Sequence, residues 1–351
     1  MEISVCLIVK NEENNIRRCL DCVKKFADEI IVVDTGSRDK TKEILKEYTD
    51  NIFDFEWVDD FSKARNFSFS KATKEYVMWL DADDVISNKE IDKINLLKIN
   101  MTADTYMLKY VTAFDENCKP IFTYYRERIL KRQNNPIWQG FVHEAIAPFG
   151  LIEYLDITIE HHKQSVSDPK RNLKIYQKHL KMNEQFSPRE QYYYSKELYY
   201  NGYYKKCIKE LKKFLKMPTK FMPNAIDAYL TIAKCFCIFE NYSSALKYLF
   251  EELNFFPPSS EVLCEIGNCF LSKSDFQKSL FFYECALLTS PNTQSGMFVD
   301  NNYYYLYPHL QLTMIYYRLG NFESAKKHHI LAKKYNKNHP SVIYNEQFFN
   351  T

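Results

Sequence analysis

Apolar residues in the first 165 positions fall into short runs, separated by stretches with helical spacing. The run SVCLIV, closed by Lys10, predicts a strand buried on both faces. Asn14 to Phe26 then carries Ile16, Cys19, Leu20 and Val23 at helical intervals. EIIVVDT predicts a second buried strand, and it ends in an acid, Asp34. Thr41 to Glu47 reads as a helix, NIFDFEWV as a short strand and Ser62 to Thr73 as a helix. EYVMWLDADD is a further strand that ends in acids. This alternation predicts βαβ units and an α/β, Rossmann-like domain with a mainly parallel sheet. Ligands of such sheets bind outside the carboxyl ends of the strands, where Asp34 and Asp81 both fall.

From about Pro188 the strands stop and helical hairpins nearly repeat. Each begins with a turn pair and an aromatic, followed three residues later by a small residue. The instances are Gly202-Tyr203-Tyr204 with Cys207, Glu240-Asn241-Tyr242 with Ala245, Ser274-Asp275-Phe276 with Ser279 and Gly320-Asn321-Phe322 with Ala325. The aromatics are 38, 34 and 46 residues apart, and the middle interval equals the tetratricopeptide period. The longest interval contains Asn292 to Asn302, which fits an insertion. The region resembles a degenerate tetratricopeptide array, all-α. Its small residues would let paired helices approach, and its aromatics would fill the grooves between them. The expected organisation is an α/β domain over 1–165, a linker helix within 166–188 and helical repeats over 189–351.

Composition narrows the classes. Of 351 residues, 46% are hydrophobic and 26% charged, as in a globular chain of two domains. A net charge of +2 offers no electrostatic reason to expect nucleic acid or an anionic membrane as partner. No apolar run approaches the ~20 residues of a membrane-spanning helix, so neither a span nor a signal peptide is expected. The ten cysteines follow no framework spacing, and Cys19-x-x-Cys22 lies within a helical pattern. The expected setting is therefore reduced and cytoplasmic. Only 7 residues are glycine, and no Gly-rich phosphate loop is present. A bound nucleotide needs another device.

The sharpest chemical feature is Asp81-Ala82-Asp83-Asp84, directly after YVMWL. Crowded carboxylates repel unless a cation lies among them, and Mg²⁺ or Mn²⁺ takes carboxylate and phosphate oxygens together. The same half carries Lys10-Asn11-Glu12-Glu13, VVDTGSRDKT and FSKARNFSFSKA. These four ordered motifs resemble the family 2 glycosyltransferases of the GT-A fold, over roughly residues 1–165. The resemblance implies that Val9, Asn11, Glu12, Asp34, Arg65, Asn66 and Asp81 surround a UDP-sugar, with Asp34 at the nucleoside. It implies Arg65 at the diphosphate, where a guanidinium fork donates two hydrogen bonds. Asp81 and Asp83 are implied ligands of Mn²⁺ or Mg²⁺.

Trp138-Gln139-Gly140-Phe141-Val142-His143-Glu144 looks like a station of a subgroup that adds a tetratricopeptide region and modifies peptides or proteins. Glycocin S-glycosyltransferases belong to that subgroup. An inverting transferase needs a group to take the acceptor's proton. Glu144 is the candidate here, with Asp84 or His143 as alternatives. His161 matches a strand-end histidine of the subgroup and would complete the metal shell. His162-Lys163-Gln164 replaces the usual glycine turn, which leaves open which histidine faces the site.

The expected activity is metal-dependent, inverting transfer of a hexose from a UDP-sugar to a Ser, Thr or Cys side chain of a peptide or protein. The repeats would take the acceptor or form a homodimer. A glycan or lipid-linked sugar acceptor is one competing reading, and a non-catalytic repeat scaffold is another. Asp34, Arg65, Asp81, Asp83 and Glu144 together weigh against the scaffold.

Overall fold

In the computed structural model, residues 1–114, 120–162, 168–218, 221–291 and 300–349 are described. The uninterrupted apolar runs become adjacent strands, because only a position between two neighbours and two covering layers buries every side chain. They are β1 (Ile3–Val9), β2 (Glu29–Asp34) and β4 (Tyr76–Leu80); β3 (Ile52–Asp54), only half-buried, takes the edge beside β2, and α1 (Ile16–Val23), α2 (Thr41–Leu45) and α3 (Phe61–Ser70) connect the four. Next come the two-residue β5 (Asp84–Val85), α4 (Asn88–Leu97), β6 (Thr105–Phe114), β7 (Pro120–Lys131) and β8 (Ile152–His161). The eight strands form one sheet in the order β3-β2-β1-β4-β7-β6-β8-β5. β3, β2, β1 and β4 are mutually parallel, while β7 runs antiparallel to both β4 and β6. β8 is parallel to β6 and antiparallel to β5, so the sheet is mixed.

The pleat sorts the core. Ile3, Val5, Leu7 and Val9 of β1 enter one cluster with Ile16, Cys19, Leu20 and Val23 of α1. Cys6 faces the other side, with Ile31, Val77, Trp79 and Trp138. The long strands β6 and β7 were not foreseen, since Lys109, Arg126, Glu127 and Arg128 interrupt their apolar pattern.

The chain divides into two compact units, Met1–Tyr194 and Ser195–Thr351. Helix α5 (Arg171–Lys181) and the first part of α6 (Pro188–Tyr200) lie in the first unit. The segment expected to be a linker is thus packed there through Leu173, Ile175 and Tyr176.

The second unit continues through α7 (Tyr204–Phe214), α8 (Met222–Ile238), α9 (Tyr242–Leu253), α10 (Ser260–Ser272) and α11 (Phe276–Ala286). It ends with α12 (Asn301–Tyr305), α13 (Tyr307–Arg318), α14 (Phe322–Tyr335) and α15 (Pro340–Glu346). The turn residues Gly202, Glu240, Ser274 and Gly320 all have positive φ, which reverses the chain between paired helices. Asn241, Asp275 and Asn321 then cap the second helices by accepting from the backbone N–H three residues on. Cys207, Ala245, Ser279 and Ala325 are fully buried, as the hairpin motif predicts. The aromatics are less so. Tyr242 and Phe276 are half-buried and Phe322 is 58% exposed, because close approach is set by the small residue one turn later. Most of the expected insertion at Asn292 to Asn302 lies outside the described residues.

Candidate active site

Because β2, β1 and β4 are parallel neighbours, their carboxyl ends open on one edge. Val9 is in register with Asp34, and Leu7 with Leu80. Asp34 is fully buried, and its Oδ1 accepts from the backbone N–H of Gly36 and Ser37, both at 2.8 Å. Its Oδ2 is buried with no partner among the described residues. Gly36 has φ +102°, which suits glycine and lets the chain fold back over the carboxylate. The Val9 carbonyl accepts from the Thr35 N–H at 2.9 Å and the Thr35 hydroxyl at 3.1 Å. Asn11, at φ +56°, accepts from the Arg38 N–H, so the turns after β1 and β2 are bound together.

The acidic turn after β4 closes on itself. The Asp81 N–H donates to Asp84 Oδ2 at 3.0 Å, and the Asp84 N–H donates to the Asp81 carbonyl at 3.0 Å. Asp84 begins β5, whose pairing with β8 sets Asp84 opposite His161. The His161 Nδ1 lies 3.2 Å from Asp83 Oδ1 and 3.2 Å from Asp84 Oδ1. His162 turns away, since its Nε2 meets Glu160 at 2.8 Å and its ring stacks on Phe114. Among the described residues Asp81, Asp84 and His161 form a possible metal-binding group, with one ligand atom each and all within 4.8 Å. The sequence motif pairs Asp81 with Asp83; the turn also draws Asp84 to Asp81, so Asp84 enters the group as well.

Electrostatics tie the cluster further. Burial works against a charged His161 imidazole, but Asp83 and Asp84 outweigh it and raise its pKa to about 10. Burial likewise raises the Asp81 carboxyl, yet Arg65 and Arg128 overcome it and hold Asp81 well below the usual carboxylate range. Glu12 is shifted upward by burial, with Asp83, Asp39 and Asp81 adding to that against a hydrogen bond from Asn15. The β1 turn and the acidic turn therefore share one field.

Arg65 joins the acidic turn to a third segment. It lies on α3, whose start is capped by Asp60. Its Nε donates to Glu144 Oε1 at 2.6 Å and its Nη2 donates to Asp81 Oδ1 at 2.7 Å. Its guanidinium lies 5.0 Å from the Trp79 ring and 4.7 Å from the Trp138 ring. Asn66 is turned elsewhere: its amide exchanges two hydrogen bonds with the Trp138 backbone, at 2.9 and 3.0 Å. His143 has φ +54° and its ring stacks on Tyr193 at 4.5 Å.

Sequence reasoning missed Arg128 and Tyr110. Arg128 is fully buried, donates to Asp84 Oδ2 at 3.0 Å, and packs 3.6 Å from the Trp79 ring centre and 4.1 Å from that of Tyr110. The Tyr110 hydroxyl donates to Asp84 Oδ1 at 2.9 Å. A charged run, Arg126-Glu127-Arg128, set between apolar residues was the available signal.

Residues 4–143 match the family model for glycosyl transferase family 2. This stretch is a family 2 glycosyltransferase domain. The SPbeta prophage-derived glycosyltransferase SunS of Bacillus subtilis is 27% identical over 269 residues, which cover 70% of this chain and 61% of SunS. A TPR repeat-containing protein of Synechococcus elongatus is 45% identical over 83 residues, 24% of this chain and 21% of that protein. An uncharacterized glycosyltransferase of Rickettsia typhi is 32% identical over 106 residues, 30% and 36% of the two chains. The chain thus spans about a fifth of the cyanobacterial relative and three fifths of SunS. The glycosyltransferase domain is followed by TPR-like helical hairpins. No described helix is long and apolar enough to cross a membrane.

Proposed function

We propose that the chain is a metal-dependent, inverting glycosyltransferase that moves a hexose from a UDP-sugar to a Ser, Thr or Cys side chain of a peptide or protein. One observation carries this reading: Asp81, Asp83, Asp84 and His161 converge beside Arg65, whose other hydrogen bond reaches Glu144. Carboxylates and one imidazole are a donor set that fits a hard divalent cation. Asp81, Asp84 and His161 would hold Mn²⁺ or Mg²⁺ with Asp83 beside them, and Arg128 and Tyr110 anchor Asp84 from behind. When bound, the ion supplies positive charge to the leaving diphosphate.

The chain's own residues then have separable tasks. The buried Asp34 Oδ2, without a partner among the described residues, suits a donor group of the nucleoside, such as a ribose hydroxyl. Arg65 offers its fork to the diphosphate. Glu144 accepts the acceptor's proton as oxygen or sulfur bonds to the anomeric carbon and the sugar–phosphate bond breaks, releasing UDP. Asp84 is unsuited to that task, because its carboxylate has no exposure and already accepts from Tyr110, Arg128 and the Asp81 N–H.

The likeness to SunS and the helical hairpins support a peptide or protein acceptor, since stacked hairpins present an extended concave surface. The test is UDP release from a panel of UDP-hexoses, with Mn²⁺ or Mg²⁺ and with chelator, followed by mass spectrometry of candidate peptides. Metal-dependent release from one donor is the expected result. Failure to release UDP together with failure to bind it would overturn the reading.

A further inference from the structure

We propose that Arg189, at the start of α6, is a positioning residue that fixes the turn bearing Glu144 and thereby sets the rate of transfer. The catalytic half of this inference rests on the role given to Glu144 above.

The turn is closed by a reciprocal pair of hydrogen bonds between Gln139 and Ala145, at 3.0 and 3.1 Å. Inside it the backbone passes through positive φ twice, at Gly140 (+101°) and at His143 (+54°). Glycine adopts such a conformation freely. A side-chain-bearing residue does so only where its surroundings impose it.

Those surroundings are explicit. Three consecutive carbonyls before Glu144 are taken by three different elements. The Phe141 carbonyl accepts from the Phe61 N–H at the start of α3, at 2.9 Å. The Val142 carbonyl accepts from the Tyr176 hydroxyl of α5, at 3.2 Å. The His143 carbonyl accepts from both Nε and Nη2 of Arg189, at 3.2 and 2.6 Å. The rings reinforce this. Phe141 stacks on His179 of α5 at 3.6 Å, and His179 is itself held by Glu184 and the Asp59 carbonyl. His143 stacks on Tyr193, and the Arg189 guanidinium lies 4.8 Å from that same ring.

The His143 carbonyl belongs to the peptide that leads into Glu144, so two donors on that oxygen fix the plane from which the Glu144 side chain departs. The tolerance is small, because Glu144 must also meet Arg65 at 2.6 Å. Helix α5 and the first turn of α6 therefore act as a clamp on the candidate base.

The test uses the full chain with Arg189→Ala and Arg189→Lys. Amide exchange of residues 141–145 should quicken about tenfold in Arg189→Ala, as loss of a charge-assisted bond predicts. UDP affinity, measured by calorimetry, should not change. In UDP release from UDP-hexoses, kcat should fall about tenfold or more with KM for the donor unchanged. Lysine keeps the charge without the fork and should restore only part, and added guanidinium ion should partly rescue the alanine variant. Should Arg189→Ala fail to fold, Tyr176→Phe removes a single hydroxyl from the same clamp and is read in the same way. Unchanged exchange, or faster exchange with unchanged kcat, overturns the proposal. If the wild type neither releases nor binds UDP, the catalytic reading of Glu144 falls and the proposal's rate-setting half falls with it. Exchange then still decides whether Arg189 holds the turn.

Discussion

Arg65 Nε donates to Glu144 Oε1 at 2.6 Å while its Nη2 donates to Asp81 Oδ1, so one buried guanidinium links the acidic turn to the proposed base. Its fork is shared between two carboxylates, and a diphosphate would compete for the same donors. Lysine has one compact charge and cannot satisfy both acids while staying close to the Trp79 and Trp138 rings. Arg65→Lys is expected to lower kcat/KM for UDP release by about 10²-fold or more. It should also lower the melting temperature, because two largely buried carboxylates lose their partner. Steady-state kinetics and a thermal melt check this, and wild-type values for both would refute the shared role.

Glu144→Gln keeps the shape of the side chain and removes its basicity. Donor affinity should be retained and kcat should fall by about 10²- to 10⁴-fold, as for loss of a general base. Equilibrium UDP binding and single-turnover transfer separate the two effects. An unchanged rate would transfer the task to His143, since Asp84 is enclosed.

Metal removal should abolish UDP release, and Mn²⁺ or Mg²⁺ should restore it. Asp81→Ala and Asp83→Ala should lose both activity and metal affinity. Asp84→Asn should damage folding as well, because Arg128 and Tyr110 are buried around that carboxylate. Calorimetric titration of each variant with Mn²⁺ distinguishes ligand from support. Full turnover by Asp83→Ala would remove it from the metal shell.

Glu252 on α9 is buried with neither carboxylate oxygen partnered among the described residues. Burial alone pushes its pKa from 4.5 up to about 8. The folded state therefore holds a proton that the unfolded state releases. Its contribution to stability is complete below pH about 4.5 and is lost as pH rises through about 8. Glu252→Gln, which cannot ionise, should be more stable than wild type at pH 9 by on the order of 5 kcal/mol and nearly equal to it at pH 4.5. Melts at the two pH values test the sign, and a gap that does not widen with pH would refute it.

The local order of the chain was legible in the sequence. Continuous apolar runs marked β1, β2 and β4, and the acids after them marked Asp34 and Asp81, because a buried strand must surface at its end. The hairpin motif marked α7, α9, α11 and α14 through their turns, caps and buried small residues, all of which are short-range. Tertiary structure alone decided the rest. Strand pairing set Asp84 against His161 and turned His162 outward, a choice made 77 residues away along the chain. Arg128 reads as a polar position of an irregular strand until its pairing with Asp84 buries it. The segment between the two expected domains reads as a connector and Arg189 as the first residue of the repeats, since nothing local in Tyr176 or Arg189 names a partner. Their targets are backbone carbonyls of the Glu144 turn, and a carbonyl has no identity in sequence.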